Sequence, residues 1–431
     1  KSGVRTPAEV YKTGSFENVK ILYVGDPQVG ASKGQPQGEG KLSADSGAAN
    51  TAARNDGFAW DRTLDAALAQ NPDLNFVISA GDQVNKTGKP KEEEYAAYLS
   101  ADALKSLPVA TTIGNHDSLN KDYSYHFNNP NPTDLGMTEA GGDYYYSYGP
   151  GLFIVLNTNN YNVAEHEQAI QKAVANFPDT KWRIVTIHQD IYGSGLDHSD
   201  TDGMILRTQL TPVFDKYDID VVLQGHDHTY SRSKILYGDG KSHGSYEFRL
   251  DETGLDYDWD HAYNNNTGES ITLNPLSSDT AAVEAKDAFT ADNKCYTIES
   301  SGKSVVTNPK GTLYMTANSA SGSKYYELIN SQQDYIEVRS QNWLPSYSVI
   351  DLTKDDFKIT TYQITDDGKA EAIDDTFTIK KTGADAADAS ADTTDGSSDD
   401  TDTAADTTDS ASDTTEAADT SADAAAEASE N

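Results

Sequence analysis

Short apolar runs recur along the chain, and each is followed by a glycine turn or by a polar residue. They are rich in β-branched side chains and cover residues 20–24, 76–80, 108–113, 183–187 and 221–223. Runs of this length, bounded by turn residues, are typical of buried strands. We therefore predict a set of buried strands, each of which delivers a polar side chain at its end.

Apolar residues at helical spacing predict helices between these strands. The predicted helices cover about 59–70, 91–107, 165–176 and 211–217, a hairpin covers 144–156, and closing strands cover 347–352 and 357–364. In the first helix, Leu64, Ala67 and Leu68 fall on one face. Strands that alternate with helices in this way favour a layered α/β fold.

Five blocks of polar residues stand at the ends of the predicted strands. They read Gly25-Asp26-Pro27-Gln28, Gly81-Asp82-Gln83, Gly114-Asn115-His116-Asp117, a lone His188, and Gly225-His226-Asp227-His228. Because strand ends in an α/β sheet converge on one crevice, we expect these side chains to meet. Their oxygen and nitrogen atoms suit borderline divalent ions. Two ions about 3.5–4 Å apart can activate water and hold a phosphoryl group, which indicates a metal-dependent hydrolase.

Taken singly, each block has a plainer interpretation. Asp82 could be a turn residue or a helix N-cap, and Asn115 could be a turn residue at positive φ. A lone histidine such as His188 is usually structural, and Asp227 is a better neighbour of ligands than a ligand. The five blocks together favour the metal site.

In order and rough spacing, the blocks resemble the calcineurin-like metallophosphoesterase superfamily, whose pattern is D-x-H, G-D-x-x, G-N-H-[DE], a lone His and G-H-x-H. Residues 225–232 are also similar to the G-H-x-H-x-Y-x-R run of bacterial purple acid phosphatase-like proteins. The resemblance implies a four-layer α/β/β/α sandwich. It also implies phosphate ester hydrolysis by a hydroxide on two divalent metal ions (Mn, Zn or Fe), with monoesters favoured and a phosphodiesterase or nucleotidase as the alternative.

The resemblance also implies a role for each block residue. Asp26, Asp82 and His228 would hold the first ion with Gln28 beside it, Asp82 would bridge, and Asn115, His188 and His226 would hold the second ion. His116 would face the leaving oxygen as general acid or transition-state stabiliser, and Asp117 would orient it.

Two positions depart from the resembled pattern. Gln28 stands where many members have histidine, and an amide is a weaker ligand for borderline metals. Asn85 stands where purple acid phosphatases carry a metal-binding tyrosine. We therefore expect a colourless site with two divalent ions. The same departures motivate a second hypothesis, a catalytically weak cell-surface binding module.

The remaining candidates are weaker. Tyr192 and His198 lie in the loop after the His188 strand, and such loops shape substrate pockets. His126, His166, His243 and His261 are expected to be surface or structural residues. The polar stretch 234–310 is predicted to be an insertion near the site, either a substrate-selecting cap or a variable surface excursion.

The net charge of the chain limits which molecules it can bind. The formal net charge is −36; the tail 383–431 carries 15 acidic residues and no basic residue, so residues 1–382 keep a charge of −21. An acidic surface repels polyanions, so we expect a small phosphate ester as partner and neither nucleic acid nor an anionic membrane. No apolar run is long enough for a spanning helix, so we expect no membrane insertion.

The domain organisation follows from composition. We predict a linker or accessory-domain remnant over 1–19, a catalytic domain over 20–382, and a disordered acidic tail over 383–431. The tail could be a spacer, a solubilising terminus or a weak calcium binder. With a single cysteine and an opening on Lys1, we expect a processed or trimmed chain, secreted or attached to the cell wall or surface of a Gram-positive-type bacterium.

Overall fold

The computed structural model describes residue 11 and residues 14–34, 36–37, 40–41, 46–87, 91–196, 202–249, 261–272 and 279–383. His198 and the acidic tail after Gly383 lie outside the described residues, as do most of residues 1–19. No helix within the described ranges is long and apolar enough to cross a membrane.

Strands and helices alternate through the first half of the chain, and strands predominate in the second. The strands are β1 (Val19–Val24), β2 (Pro36–Gln37), β3 (Gly40–Lys41), β4 (Phe76–Ser79), β5 (Val109–Thr111), β6 (Tyr144–Tyr148), β7 (Gly151–Val155), β8 (Trp182–Thr186), β9 (Val221–Gln224), β10 (Tyr230–Ser233), β11 (Ile235–Gly238), β12 (Tyr246–Glu247), β13 (His261–Asn264), β14 (Ser270–Thr272), β15 (Tyr296–Ser300), β16 (Val305–Thr307), β17 (Leu313–Thr316), β18 (Ile336–Ser340), β19 (Ser346–Leu352), β20 (Asp356–Ile364), β21 (Ala370–Ala372) and β22 (Phe377–Lys380). The helices are α1 (Ser46–Gln70), α2 (Glu92–Tyr98), α3 (Asn115–Ser118), α4 (Asp122–His126), α5 (Val163–Asn176), α6 (Asp202–Lys216) and α7 (Thr280–Asp292).

Two mixed sheets form the framework. The first has the order β16-β22-β20-β19-β1-β4-β5, with β21 added beside β20, and the second has the order β18-β10-β17-β9-β8-β7-β6. β1, β4 and β5 are parallel neighbours, and so are β7, β8 and β9. The strands that precede the polar blocks therefore point the same way within each sheet, and all of them except the edge strand β5 are central.

The two sheets pack face to face and enclose the central core. Ile21 and Tyr23 of β1 face Ile184 and Leu223 of the second sheet in this core, while Leu22 and Val24 pack on the other side against Trp60 and Leu64 of α1. The outer face of the second sheet packs against α5 and α6, through side chains that include Ile170, Leu206 and Phe214. The four-layer α/β/β/α sandwich implied by the resemblance is confirmed.

Three helix predictions need correction. The helix predicted over about 59–70 begins earlier, at Ser46. The helix predicted over 91–107 ends at Tyr98, with Leu99 as its C-cap, and a separate 3-10 turn covers Asp102–Lys105. Ser100 donates its hydroxyl to the Ala97 carbonyl, and this local bond competes with continued helix formation. Helix α6 begins at Asp202 and runs through Pro212, although a proline there favours a helix start.

The described parts of the stretch 234–310 have regular structure. β11 pairs with β15, β12, β13 and β14 form a small sheet, and β16 joins the first main sheet beside β22. The end of the stretch is thus continuous with the sandwich. Its proposed role at the rim of the site remains a prediction.

A buried ion pair ties the two sheets together. Arg232 of β10 lies in the second sheet, and its Nε is 2.6 Å from Oδ2 of Asp374, which lies between β21 and β22 of the first; each side chain is 7% exposed. Tyr230 donates its hydroxyl to the same carboxylate at 2.7 Å. The Tyr and Arg of the G-H-x-H-x-Y-x-R run thus have a common structural partner.

We expect Asp374→Ala to lower the free energy of unfolding by about 3–5 kcal/mol, because it leaves a buried guanidinium without its counterion. Urea unfolding of the purified variants measures this. The matched control is Asp73→Ala, whose 66%-exposed carboxylate is 3.0 Å from Lys20 and whose loss should cost at most about 1 kcal/mol. Equal losses for the two variants would contradict a tie between the sheets.

Candidate metal centre

The five polar blocks come together at the ends of neighbouring strands from both sheets. Asp26, Asp82 and Asn115 follow β1, β4 and β5 of the first sheet, while His188 and His226 follow β8 and β9 of the second. Contacts across the two groups are direct, because the His226 amide donates to both carboxylate oxygens of Asp26, at 3.1 and 2.9 Å. The site therefore belongs to both sheets.

The backbone at this site is held in an unusual conformation. Five of the seven candidate ligands have a left-handed φ, namely Asp26 (47°), Gln28 (35°), Asp82 (48°), His226 (70°) and His228 (47°). Each such residue costs of order 1–3 kcal/mol and persists only when the surrounding structure imposes it. Strain of this kind concentrates at functional sites, so its clustering here supports one.

Glycine is required beside the ligands because the chains approach closely. A Cβ added to Gly81, whose φ is +109°, would lie 2.4 Å from Nδ1 of His188. A Cβ added to Gly114 would lie 2.0 Å from Oδ1 of Asp82. The glycines before Asp82 and Asn115 thus make room for the ligands themselves.

Two buried carboxylates form the middle of the site. One ligand atom each from Asp26, Asp82 and His188 lies within 4.8 Å of the others, and all three residues are buried. Burial, followed by the charge of Asp82, raises the pKa of Asp26 well above its usual range. Burial also acts to raise the pKa of Asp82, but His188, His116 and His226 outweigh it and lower that pKa to about 2.

The histidines present one ring nitrogen to the carboxylates and anchor the other. Nδ1 of His188 is 2.8 Å from the Ala80 carbonyl, and its Nε2 is 2.9 Å from Oδ1 of Asn115 and 3.1 Å from Nδ1 of His226. Nδ1 of His228 is 2.8 Å from the Lys324 carbonyl, and its Nε2 is 3.6 Å from Oδ1 of Asp26. Metal-binding histidines are typically oriented in this way by a backbone carbonyl.

Gln28 provides a direct test of whether these residues fit metal ions. Its side chain is completely buried, and within the described part of the chain neither the amide oxygen nor the amide nitrogen has a hydrogen-bond partner. A buried polar group without a partner is costly and requires an explanation. An ion beside Asp26 would supply one through the amide oxygen, so the donor set fits divalent metal ions.

His116 lies beside the carboxylates with a defined orientation. Its amide donates to Oδ1 of Asp82 at 2.9 Å, its ring Nδ1 contacts the Asn85 carbonyl, and its ring Nε2 is 4.0 Å from Oδ2 of Asp82. With Nδ1 donating to a carbonyl, Nε2 faces the centre of the site. Lys91 is fully buried and donates its ammonium to the His116 carbonyl, a contact that the sequence does not signal.

The expected contact between Asp117 and the His116 ring needs correction. The Asp117 carboxylate accepts from the amides of Gly114 and Gln83, at 3.0 and 3.3 Å, and from the Tyr95 hydroxyl at 3.2 Å. Burial and the Asp82 charge raise its pKa to about 7. Asp117 therefore fixes the loop that carries Asn115 and His116, whereas the Asn85 carbonyl orients the ring.

Asp227, which lies between two candidate ligands in the sequence, stabilises a neighbouring loop. Asp227 is buried and accepts from the amides of Ser194 and Gly195, at 2.7 and 2.5 Å, so it holds the loop after His188.

Tyr192 is 1% exposed, with the Arg207 guanidinium 4.6 Å from its ring centre. Since Tyr192 is enclosed in this way, it does not form the substrate contact predicted for it. The prediction for His198 falls outside the described residues.

Sequence reasoning missed one segment of the site, residues 318–326, here called the serine segment. Its hydroxyls bind the first block: Ser319 donates to the Asp26 carbonyl at 3.1 Å, and Ser321 and Ser323 both donate to the Pro27 carbonyl, the latter at 3.2 Å. Its three serines at alternate positions are the signal that could have revealed a fixed segment.

Comparison with known proteins identifies the family. Residues 19–230, which carry all five blocks, match the family model of calcineurin-like phosphoesterases. This part of the chain therefore belongs to the calcineurin-like phosphoesterase family.

Similar proteins match over a part of their length. An uncharacterized protein of Mycobacterium tuberculosis is 27% identical over 123 residues, 24% of this chain and 23% of that protein. The Fe(3+)-Zn(2+) purple acid phosphatase 12 of Arabidopsis thaliana is 35% identical over 91 residues, 21% of this chain and 17% of that protein. The match thus spans less than a quarter of the length of these relatives.

Two solved structures align more extensively. A purple acid phosphatase from yellow lupin seeds gives a TM-score of 0.46 at 12% identity and covers 86% of this chain and 55% of that chain. PhoD gives a TM-score of 0.43 at 10% identity and covers 86% of this chain and 75% of that chain.

We expect Gln28→Leu to separate folding from metal binding. In EDTA the variant should be as stable as the wild type or more stable by about 1–3 kcal/mol, because it removes a buried amide without a partner. In Mn or Zn the variant should gain less stability than the wild type. Thermal unfolding with and without each metal measures both effects.

The matched control is Gln83→Leu. Gln83 is equally buried, but its amide nitrogen donates to the Thr112 carbonyl at 3.2 Å. This control should lose stability in EDTA and with metal alike. The assignment of Gln28 to the metal site would be wrong if the two variants behaved alike.

Proposed function

We propose that this chain is a metal-dependent phosphoric ester hydrolase that acts mainly on phosphomonoesters through two divalent ions. The observation that carries the proposal is the buried convergence of Asp26, Asp82 and His188 with the His116 ring beside it. Asp26, Gln28, Asp82 and His228 would hold one ion, and Asp82, Asn115, His188 and His226 would hold the other. The match to calcineurin-like phosphoesterases supports this chemistry.

When bound, two such ions activate a water and neutralise charge on the phosphoryl oxygens. The protein residues supply position and protons. The anchored histidines fix the direction of each ligand, and the buried surroundings strengthen electrostatic interactions with the phosphoryl group. His116, held through Nδ1 by the Asn85 carbonyl, places Nε2 to protonate the departing oxygen.

Two alternatives are kept. A phosphodiesterase or nucleotidase would use the same ligands and differ in the loops that surround the leaving group. A binding module with weak turnover is favoured by Gln28 and Asn85, the two departures from the resembled pattern. We also propose, from the acidic composition of the tail, that the protein is secreted or attached to a cell surface.

The decisive experiment measures initial hydrolysis rates on a chromogenic phosphate monoester and on the matching diester, after reconstitution with Mn, Zn or Fe. We expect metal-dependent turnover with the monoester preferred. Asn115→Ala should abolish it, since Asn115 lies 2.9 Å from His188 in the ligand cluster. The control is His243→Ala, because His243 pairs with Asp239 away from the ligands. The absence of turnover with every metal would favour the binding module.

We expect His116→Ala to lower kcat by about 10²–10⁴-fold on an alkyl phosphate, the range for loss of a positioned acid. The loss should be much smaller on nitrophenyl phosphate, because nitrophenolate leaves without protonation. Steady-state kinetics on both substrates tests this. An equal loss on the two substrates would show that His116 does not act as the acid.

We expect the metal-loaded protein to be colourless. Asn85 has no phenolate to give charge transfer to ferric iron, and its backbone is already engaged, with the amide donating to Glu94 at 3.0 Å and the carbonyl facing His116. The visible absorption spectrum after loading with iron and zinc measures this. A strong band would refute two divalent ions as the working state.

A further inference from the structure

The serine segment carries a lysine toward the metal centre. The Lys324 carbonyl is bound by Nδ1 of His228, so the backbone at this lysine is in direct contact with a candidate ligand. Ser323, next to it, is 2% exposed and donates to the Pro27 carbonyl. The segment is therefore fixed to His228 and to Pro27, in two of the blocks that would hold the first ion.

The Lys324 side chain is held over an aromatic ring at the same place. Its ammonium lies 4.6 Å from the centre of the Tyr326 ring, and that ring meets the His228 ring edge to face at 5.2 Å. Gln341 fixes the arrangement by donating to the carbonyls of both His228 and Tyr326, at 2.8 and 2.7 Å. The Lys324 ammonium thus contacts the Tyr326 ring, which in turn contacts the ring of the candidate ligand His228.

The Lys324 charge has no carboxylate partner within the described ranges. Three other lysines there lie over aromatic rings, and each has an acidic partner: Lys216 with Glu167 at 2.6 Å, Lys294 with Asp334 and Lys381 with Asp220 at 2.7 Å. Among the lysines that lie over aromatic rings in the described ranges, Lys324 is thus the one without such a partner. Its charge also acts on the site, since it opposes the burial and the Asp82 charge that raise the pKa of Asp26.

We propose that Lys324 binds the non-bridging phosphoryl oxygens of the substrate and selects dianionic phosphomonoesters over monoanionic diesters. The proposal rests on the proposed hydrolase function. An ammonium on a four-carbon stem is a mobile point charge that binds phosphate well. A second negative charge on the phosphoryl group strengthens its attraction to this ammonium, whereas a diester has a single charge there. Tyr326 keeps the ammonium near the site without neutralising it.

The test compares Lys324→Met and Lys324→Arg with the wild type in the metal-loaded full chain. For Lys324→Met we expect kcat/KM to fall about tenfold or more on the monoester, through KM, and less than threefold on the diester. Lys324→Arg should restore most of the monoester preference, since it restores the charge. The control is Lys216→Met, which removes a lysine that also lies over a tyrosine ring but is paired with Glu167.

A second measurement does not depend on turnover. It determines the binding of inorganic phosphate by calorimetry. Lys324→Met should weaken phosphate binding about tenfold at unchanged metal content, even if the wild type hydrolyses neither ester. Unchanged phosphate affinity, or equal losses on monoester and diester, would overturn the role of Lys324. A wild type that binds phosphate through Lys324 but has no turnover would instead contradict the hydrolase function alone.

Discussion

The approach of two buried carboxylates, Asp26 and Asp82, is the constraint on which the rest of this structure depends. Like charges at such a distance in a dry site cannot both be ionised unless positive charge is brought to them. The histidines and the divalent ions they would hold answer this requirement. The left-handed backbone at five ligands is part of the same arrangement, and a framework that imposes it must be rigid.

That framework is the face-to-face packing of the two sheets. Asp26 follows a strand of one sheet and His226 follows a strand of the other. Their hydrogen bond at 2.9 Å therefore depends on the alignment of the two sheets. The Tyr23 hydroxyl bonds the carbonyls of Gln224 and Met315 across the interface. Arg232 and Asp374 form a second tie. Fold stability and site geometry are therefore coupled in this protein.

The serine segment completes the site from a distant part of the chain. It returns after the last block and closes over the first block, from which Ser319 is 293 residues removed in sequence. By binding the carbonyls of Asp26 and Pro27, it holds the turn that presents Asp26 and Gln28. It also brings the Lys324 ammonium to the site, and a positive charge there favours anionic substrates.

The sequence by itself determined the central strands, their polar ends and the kind of candidate ligand at each, because apolar runs and glycine turns act locally. It also led to the four-layer fold through the order of the blocks. It missed the break at Leu99 and the earlier starts of α1 and α6, where local propensity is weak beside packing. It could not place Asp117, Lys91 or Lys324, since a short side chain or a buried ammonium finds its partner only when remote segments meet. The types of candidate ligand were thus set by short local stretches of sequence. The tertiary structure decided which groups orient them and where the Lys324 ammonium lies.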